Sequence, residues 1–189
     1  MKIYIIRHEL RDLNDPTFLS ELLERGHHNA QTIVKDKLNA LNITNIYSSP
    51  FLRTLQTVFP YAKENNKKIN IEYAIAETID EPLFKQKPNI TLTSTQEKIY
   101  NVNKNYSSIW NKNTLKYKEK ISQIKYRTKM FLNMLMSKHE NTQDNILIVT
   151  HMGIVNILLS LISGKNVDIE QHYPMGQIST VENNNIRIL

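Results

Sequence analysis

Asn145-Ile146-Leu147-Ile148-Val149-Thr150, leading through His151-Met152-Gly153 into Ile154-Val155-Asn156-Ile157-Leu158-Leu159, is the stretch on which the fold turns. The strand is apolar without alternation, so neither face meets water, and such strands belong to parallel sheets covered on both sides. Ile154, Val155, Leu158, Leu159 and Ile162 then recur at helical spacing and leave little polar face. A buried strand feeding a buried helix is half of a crossover unit, and the upstream chain repeats it. Tyr117, Ile121, Ile124, Phe131, Leu132 and Leu135 predict a long amphipathic helix before this strand. Lys2 to Ile6 is a first short strand, ending at the polar stretch Arg7 to Asp15. Ala30, Ile33, Val34, Leu38 and Leu41 predict a helix over about Gly26 to Leu41. Ile43 to Tyr47 is a second strand and Ile69 to Tyr73 a third. Between them, Ser49-Pro50 reads as a capping hydroxyl and a first-turn proline for a helix with Phe51, Leu55, Val58, Phe59 and Ala62 on one face. Pro60 is expected to kink or shorten it. Gln177 to Val181 and Ile186 to Leu189 form a closing hairpin around Asn183-Asn184. The expected fold is therefore α/β, a three-layer sandwich with a mostly parallel central sheet and helices on both faces.

The 189 residues fit a single domain, 1–189. From Asp80 to about Leu115 the pattern dissolves into Lys, Asn, Ser, Thr and Tyr. This is too long for a plain connector and reads as a variable insertion, a lid or specificity segment. The chain has no cysteine, which excludes disulfides, thiolate metal sites and cysteine nucleophiles. No apolar run approaches the roughly 20 residues of a membrane span, and the start lacks the apolar stretch of a signal peptide, so a cytoplasmic location without membrane partners is expected. The net charge, 24 Lys+Arg less 18 Asp+Glu, is +6 and is compatible with any anionic partner or with a merely solvated surface.

In folds of this class ligands sit beyond the carboxyl ends of the strands. Arg7-His8 follows the first strand, Arg53 enters with the helix after the second, Glu77 follows the third, and His151 ends the strongest one. Arginine forks bind phosphate oxygens bidentately, neutral imidazole is a good nucleophile towards phosphorus, and a carboxylic acid protonates a leaving oxygen. The set requires no metal or cofactor.

Three blocks carry a family resemblance: Ile5-Ile6-Arg7-His8 within Met1 to Asn14; Ile46-Tyr47-Ser48-Ser49-Pro50-Phe51-Leu52-Arg53-Thr54-Leu55-Gln56-Thr57; and Ile148-Val149-Thr150-His151-Met152-Gly153-Ile154. In order and spacing they resemble the histidine phosphatase superfamily, phosphoglycerate-mutase-like branch 1. Leu23-Glu24-Arg25-Gly26 with Ala30, and Gln177 to Val181, resemble further blocks of it. The resemblance implies a phosphoglycerate-mutase-like fold, with His8 as phosphorylated nucleophile, Arg7, Arg53 and His151 as the phosphate pocket, Glu77 as proton donor and Asn14 as a phosphate contact. Asp80 and Glu81 are close enough to take the place of Glu77. Glu9 stands where the family usually has glycine, and Arg11 where it has a small hydroxyl residue. The first could repel a second anionic group and the second attract one.

Other features have plainer readings. His27-His28 point in different directions on a helix and read as surface. Met130, Met134 and Met136 read as helix packing, His139 and His172 carry no motif, and the basic stretch Lys112 to Lys129 reads as a solvated helix face rather than a nucleic-acid surface. The expected function is metal-independent hydrolysis of phosphate monoesters through a phosphohistidine, on a phosphorylated small molecule or a phosphoprotein, with no nucleic-acid partner. The alternatives are a phosphoglycerate mutase-type phosphotransferase, which Thr78-Ile79-Asp80 after Glu77 disfavours, and a non-catalytic phosphate-recognition module. Oligomeric state is not encoded in any motif.

Overall fold

The computed structural model describes residues 1–15, 17–79, 84 and 86–189. Six strands form its sheet: β1 (Lys2–Arg7), β2 (Asn45–Ser48), β3 (Ile69–Ile71), β4 (Asn145–Thr150), β5 (Ile178–Glu182) and β6 (Asn185–Ile188). Their spatial order is β3-β2-β4-β1-β5-β6. The β1–β4, β2–β4 and β2–β3 pairs are parallel, while β5 runs antiparallel to β1 and β6 to β5.

Side chains of a strand alternate between faces, and here both faces are apolar. Tyr4, Ile6, Ile46, Leu147 and Val149 enter one core with Val34, Leu38, Leu55 and Val58. Ile3, Ile5, Ile146 and Ile148 enter a second core with Phe131, Leu135, Ile154 and Leu158. The three layers follow directly. One cover consists of α1 (Glu24–Asn29), a π-helical turn over Ala30–Val34, α2 (Lys35–Asn39) and α3 (Leu52–Glu64); the other contains α5 (Ile121–His139) and α6 (Met152–Ser163). A shorter helix, α4 (Ser94–Ile99), is opened by a Thr93–Gln96 capping box.

Several expectations need correction. The first helical run spans 24–39 rather than 26–41 and contains the π turn. The third strand ends at Ile71 and gives way to a 3-10 turn, Tyr73–Ile75, while α5 begins at Ile121, beyond Tyr117. Ser49-Pro50 does not open α3: Phe51 is the capping residue, in extended conformation and without a side-chain cap. Pro60 does not end α3, which continues to Glu64 with the proline on a half-buried face. In the stretch after β3, Asn103 donates its N–H to Ile69 O (2.8 Å), so this segment adds a bridge outside β3. Buried Glu72 ties it down further, accepting from Tyr106 Oη (2.5 Å), Ser108 Oγ (2.5 Å) and Ile109 N (3.1 Å). The hairpin turn has Asn183 and Asn184 at φ 49° and 60°, the left-handed pair that a two-residue turn requires.

Candidate active site

The register of the central strands places Arg7 directly opposite Thr150, so the residues that follow each, His8 and His151, emerge side by side. Their rings are 5.3 Å apart and buried. Two loop contacts hold the β1 exit. Gly176, at φ 74°, donates its N–H to Arg7 O (3.0 Å), in a conformation that disfavours other residues. Thr57 of α3 accepts from Glu9 N (2.9 Å). The following loop lies so close to α1 that a Cβ on Gly26 would stand 2.3 Å from Leu10 O.

His8 Nδ1 is 2.8 Å from Glu9 O. A carbonyl only accepts, so this nitrogen carries the proton and Nε2 keeps its lone pair. Burial, then the charges of His151 and Arg53, hold His8 well below its ordinary pKa and therefore neutral. His151 Nε2 lies 2.8 Å from Ser49 Oγ, and its Nδ1 lies 3.2 Å from Glu77 Oε2. Burial, partly opposed by Glu77, brings His151 down to about 4. Glu77 also meets Arg53 Nη2 at 3.3 Å. Burial resists ionisation of Glu77, but His151, Arg53 and His8 outweigh it and keep the carboxyl well below the usual range. Arg53 is buried above the Phe51 ring and donates to Thr17 O (3.0 Å); burial lowers it to about 10, so it stays cationic. Arg7 Nη1 donates to Tyr173 O (2.5 Å). Nε of Arg7, Arg11 and Arg53 are all buried without a hydrogen-bond partner among the described residues. Unpartnered donors on three neighbouring arginines make a positively charged site suited to an anion.

The same chain matches the model of the histidine phosphatase superfamily (branch 1) over residues 3–184. The chain belongs to the histidine phosphatase superfamily, branch 1. No curated protein sequence matches it. Solved structures share its fold: the ecdysone phosphate phosphatase of Bombyx mori in complex with tungstate (TM-score 0.76, 14% identity, covering 100% of this chain and 91% of that one) is one. The α-ribazole phosphatase of Shigella flexneri is another (TM-score 0.67, 17% identity, 100% and 95%). The mycobacterial glucosyl-3-phosphoglycerate phosphatase with VO3 is a third (TM-score 0.68, 14% identity, 99% and 96%).

Of the residues singled out in this histidine phosphatase sequence, Arg7, His8, Arg53, Glu77 and His151 converge. Asn14 does not join them: it is exposed on the first loop, its N–H bonded to Asp12 Oδ1 (2.8 Å). Asp80 and Glu81, the substitutes considered for Glu77, lie outside the described residues. Glu9 does not act as a carboxylate aimed at the anion site; it is buried and accepts from Leu10 N (3.1 Å) and Asn29 Nδ2 (3.2 Å), against Gly176. Arg11 Nη1 is held by Asp12 O (2.7 Å) and Asp15 O (3.0 Å), and its charge contributes to lowering Arg7, Arg53 and His151. The Ser49 hydroxyl accepts from Phe51 N at 3.4 Å and lies 2.8 Å from His151 Nε2, and the second contact is legible only from the meeting of two distant blocks. His8, Glu77 and His151 offer three ligand atoms within 4.8 Å of one another, the one group among the described residues that could hold a metal. The adjoining arginines oppose a cation there.

Proposed function

We propose that this chain is a phosphatase that hydrolyses phosphate monoesters through a phosphohistidine on His8. The observation that carries the reading is the juxtaposition of His8 Nε2 with three arginines, Arg7, Arg11 and Arg53, whose buried Nε–H donors have no partner among the described residues. Arg7 and Arg53 hold the phosphoryl oxygens, joined by Arg11. His8 Nε2 attacks phosphorus; as the N–P bond forms the P–O ester bond breaks, and Glu77 gives its proton to the departing oxygen. The positive charge gained by His8 is eased by its Nδ1–H···O=C bond to Glu9. Water then attacks the phosphohistidine, yielding its proton to Glu77, and the N–P bond breaks to release inorganic phosphate. Neighbours of the same fold that carry phosphatase names, one of them solved with tungstate, are in keeping with an oxyanion in this pocket. The segment 80–115 is proposed to select the substrate, a phosphorylated small molecule or a phosphoprotein.

The test is release of phosphate from p-nitrophenyl phosphate with EDTA present. Turnover in the wild type that disappears in His8→Ala supports the reading, and turnover that survives in His8→Ala overturns it. Activity seen only in a coupled mutase assay would assign phosphotransfer instead, and phosphate binding without turnover in either assay a recognition module.

A further inference from the structure

The acid loop is held by a buried ion pair to which nothing in the proposed chemistry assigns a role. Arg127, on α5, has no solvent exposure. Its Nη1 donates to Ala74 O (2.7 Å) and Ala76 O (2.9 Å), and its Nη2 to Glu77 O (3.3 Å). The same guanidinium forms a two-pronged pair with Glu119 (3.2 and 3.1 Å), itself buried. Next to Glu119, Lys118 donates its N–H to Ile79 O (2.6 Å), and Thr150, beside His151, donates Oγ1 to Ile75 O (2.7 Å). The carbonyls of residues 74–77 and 79 are thus all engaged from outside the loop. Buried carbonyls need donors in any case, but gathering three of them on one guanidinium also fixes the segment that carries Glu77, and a reacting group displaced by about an ångström can cost about 10²-fold.

We infer that Arg127 is a positioning residue: through three carbonyls of the Ala74–Glu77 loop it sets where the Glu77 carboxyl meets the leaving oxygen, and Glu119 holds Arg127 in register. The inference rests on the reading of Glu77 as proton donor. Arg127 touches no substrate atom, so its loss should remove acid catalysis and spare phosphoryl capture by His8, Arg7 and Arg53.

Deleting one member of a buried pair leaves a lone charge and invites unfolding, whereas replacing both by apolar residues leaves only the three loop carbonyls to find other donors. The experiment therefore uses Arg127→Met combined with Glu119→Leu, and separately Arg127→Lys, with folding checked by circular dichroism. Two esters of similar shape are compared: p-nitrophenyl phosphate, whose leaving group needs little protonation, and phenyl phosphate, whose phenolate is as basic as tyrosine's, pKa about 10. In the double variant kcat/KM for phenyl phosphate, which reports the steps up to phosphohistidine formation, should fall roughly 10²-fold, as for a lost general acid, while kcat/KM for p-nitrophenyl phosphate stays within a few-fold; kcat is not compared between the esters, because Glu77 also takes the proton of the attacking water in the step they share. Arg127→Lys should recover part of the loss. Added to Glu77→Gln, the double variant should cost phenyl phosphate nothing more. Equal losses of kcat/KM on both esters, no loss on either, or full additivity with Glu77→Gln would overturn the inference. Should the wild type turn over neither ester, the His151 ring signal decides: a titration unchanged in the double variant shows Glu77 unmoved and overturns it, and one moved to lower pH supports it. Survival of turnover in His8→Ala is a different failure, that of the phosphohistidine itself.

Discussion

Glu77 sits between His151 Nδ1 (3.2 Å) and Arg53 Nη2 (3.3 Å), and in the free protein it is a counter-ion. As the proposed proton donor it must first be protonated, and a bound phosphate dianion would supply the means by taking over the attraction of Arg53 and raising the proton affinity of its neighbours. Hydrolysis of a poor leaving group should accordingly decline as pH rises, because the protonated fraction of Glu77 shrinks, while p-nitrophenyl phosphate shows a flatter profile. Glu77→Gln should erase this difference and cost the poor leaving group about 10²- to 10⁴-fold; equal pH profiles for both esters in the wild type would remove Glu77 from the role. Ser49→Ala strands His151 Nε2 without its partner at 2.8 Å. An unsatisfied buried group costs about 1–3 kcal/mol, so Ser49→Ala should lower the melting temperature by several degrees, and an unchanged melting temperature would show that the contact contributes nothing.

At the scale of elements, the turn at Gly176 faces the side chain of Glu9. A Cβ on Gly176 would lie 1.8 Å from Glu9 Oε1. Gly176→Ala should therefore lower the melting temperature, and adding Glu9→Gly should return part of the loss; the left-handed backbone cost, about 1–2 kcal/mol, remains. A double variant no more stable than Gly176→Ala alone would show that the clash is not the cause. The strands and long helices were legible because each buries an apolar pattern, and β4 lies where Asn145–Thr150 placed it. What pattern could not show was polar and long-range. Arg127 was hidden in a run of basic residues read as a solvated face, although its helical phase, between Ile124 and Phe131, marks it as inward. Glu119 and Ser49 acquire meaning only from partners in other segments. His139, without a motif, proves to be buried between Tyr47 Oη (3.2 Å) and Asp144 (2.8 Å).

For the whole molecule, buried groups that prefer to be neutral or ionised at neutral pH tie stability to acidity. His151 binds a proton at its ordinary 6.5 when unfolded and at about 4 when folded, so acid favours the unfolded chain. Its contribution, on the order of 3 kcal/mol, is complete above 6.5 and is lost as pH falls towards 4. The depressed Glu77 acts in the same direction at lower pH. Thermal unfolding followed across this range should show a plateau above neutrality and a steep decline below it; a melting temperature that rises on acidification would contradict the buried neutral imidazole. No helix among the described residues is long and apolar enough to cross a membrane.

The strand order also dictates a timetable. β4 lies between β2 and β1, so the first two strands synthesised do not touch until residues 145–150 arrive to join them. Until then each has an open edge capable of pairing with another chain, and the nascent protein passes through its most aggregation-prone stage with most of its length already made. Arg7, His8 and His151 become neighbours only at the insertion of that strand. Binding of phosphate at the proposed site would thus report on completed folding, and a chain cut short of β4 should lose that binding and aggregate.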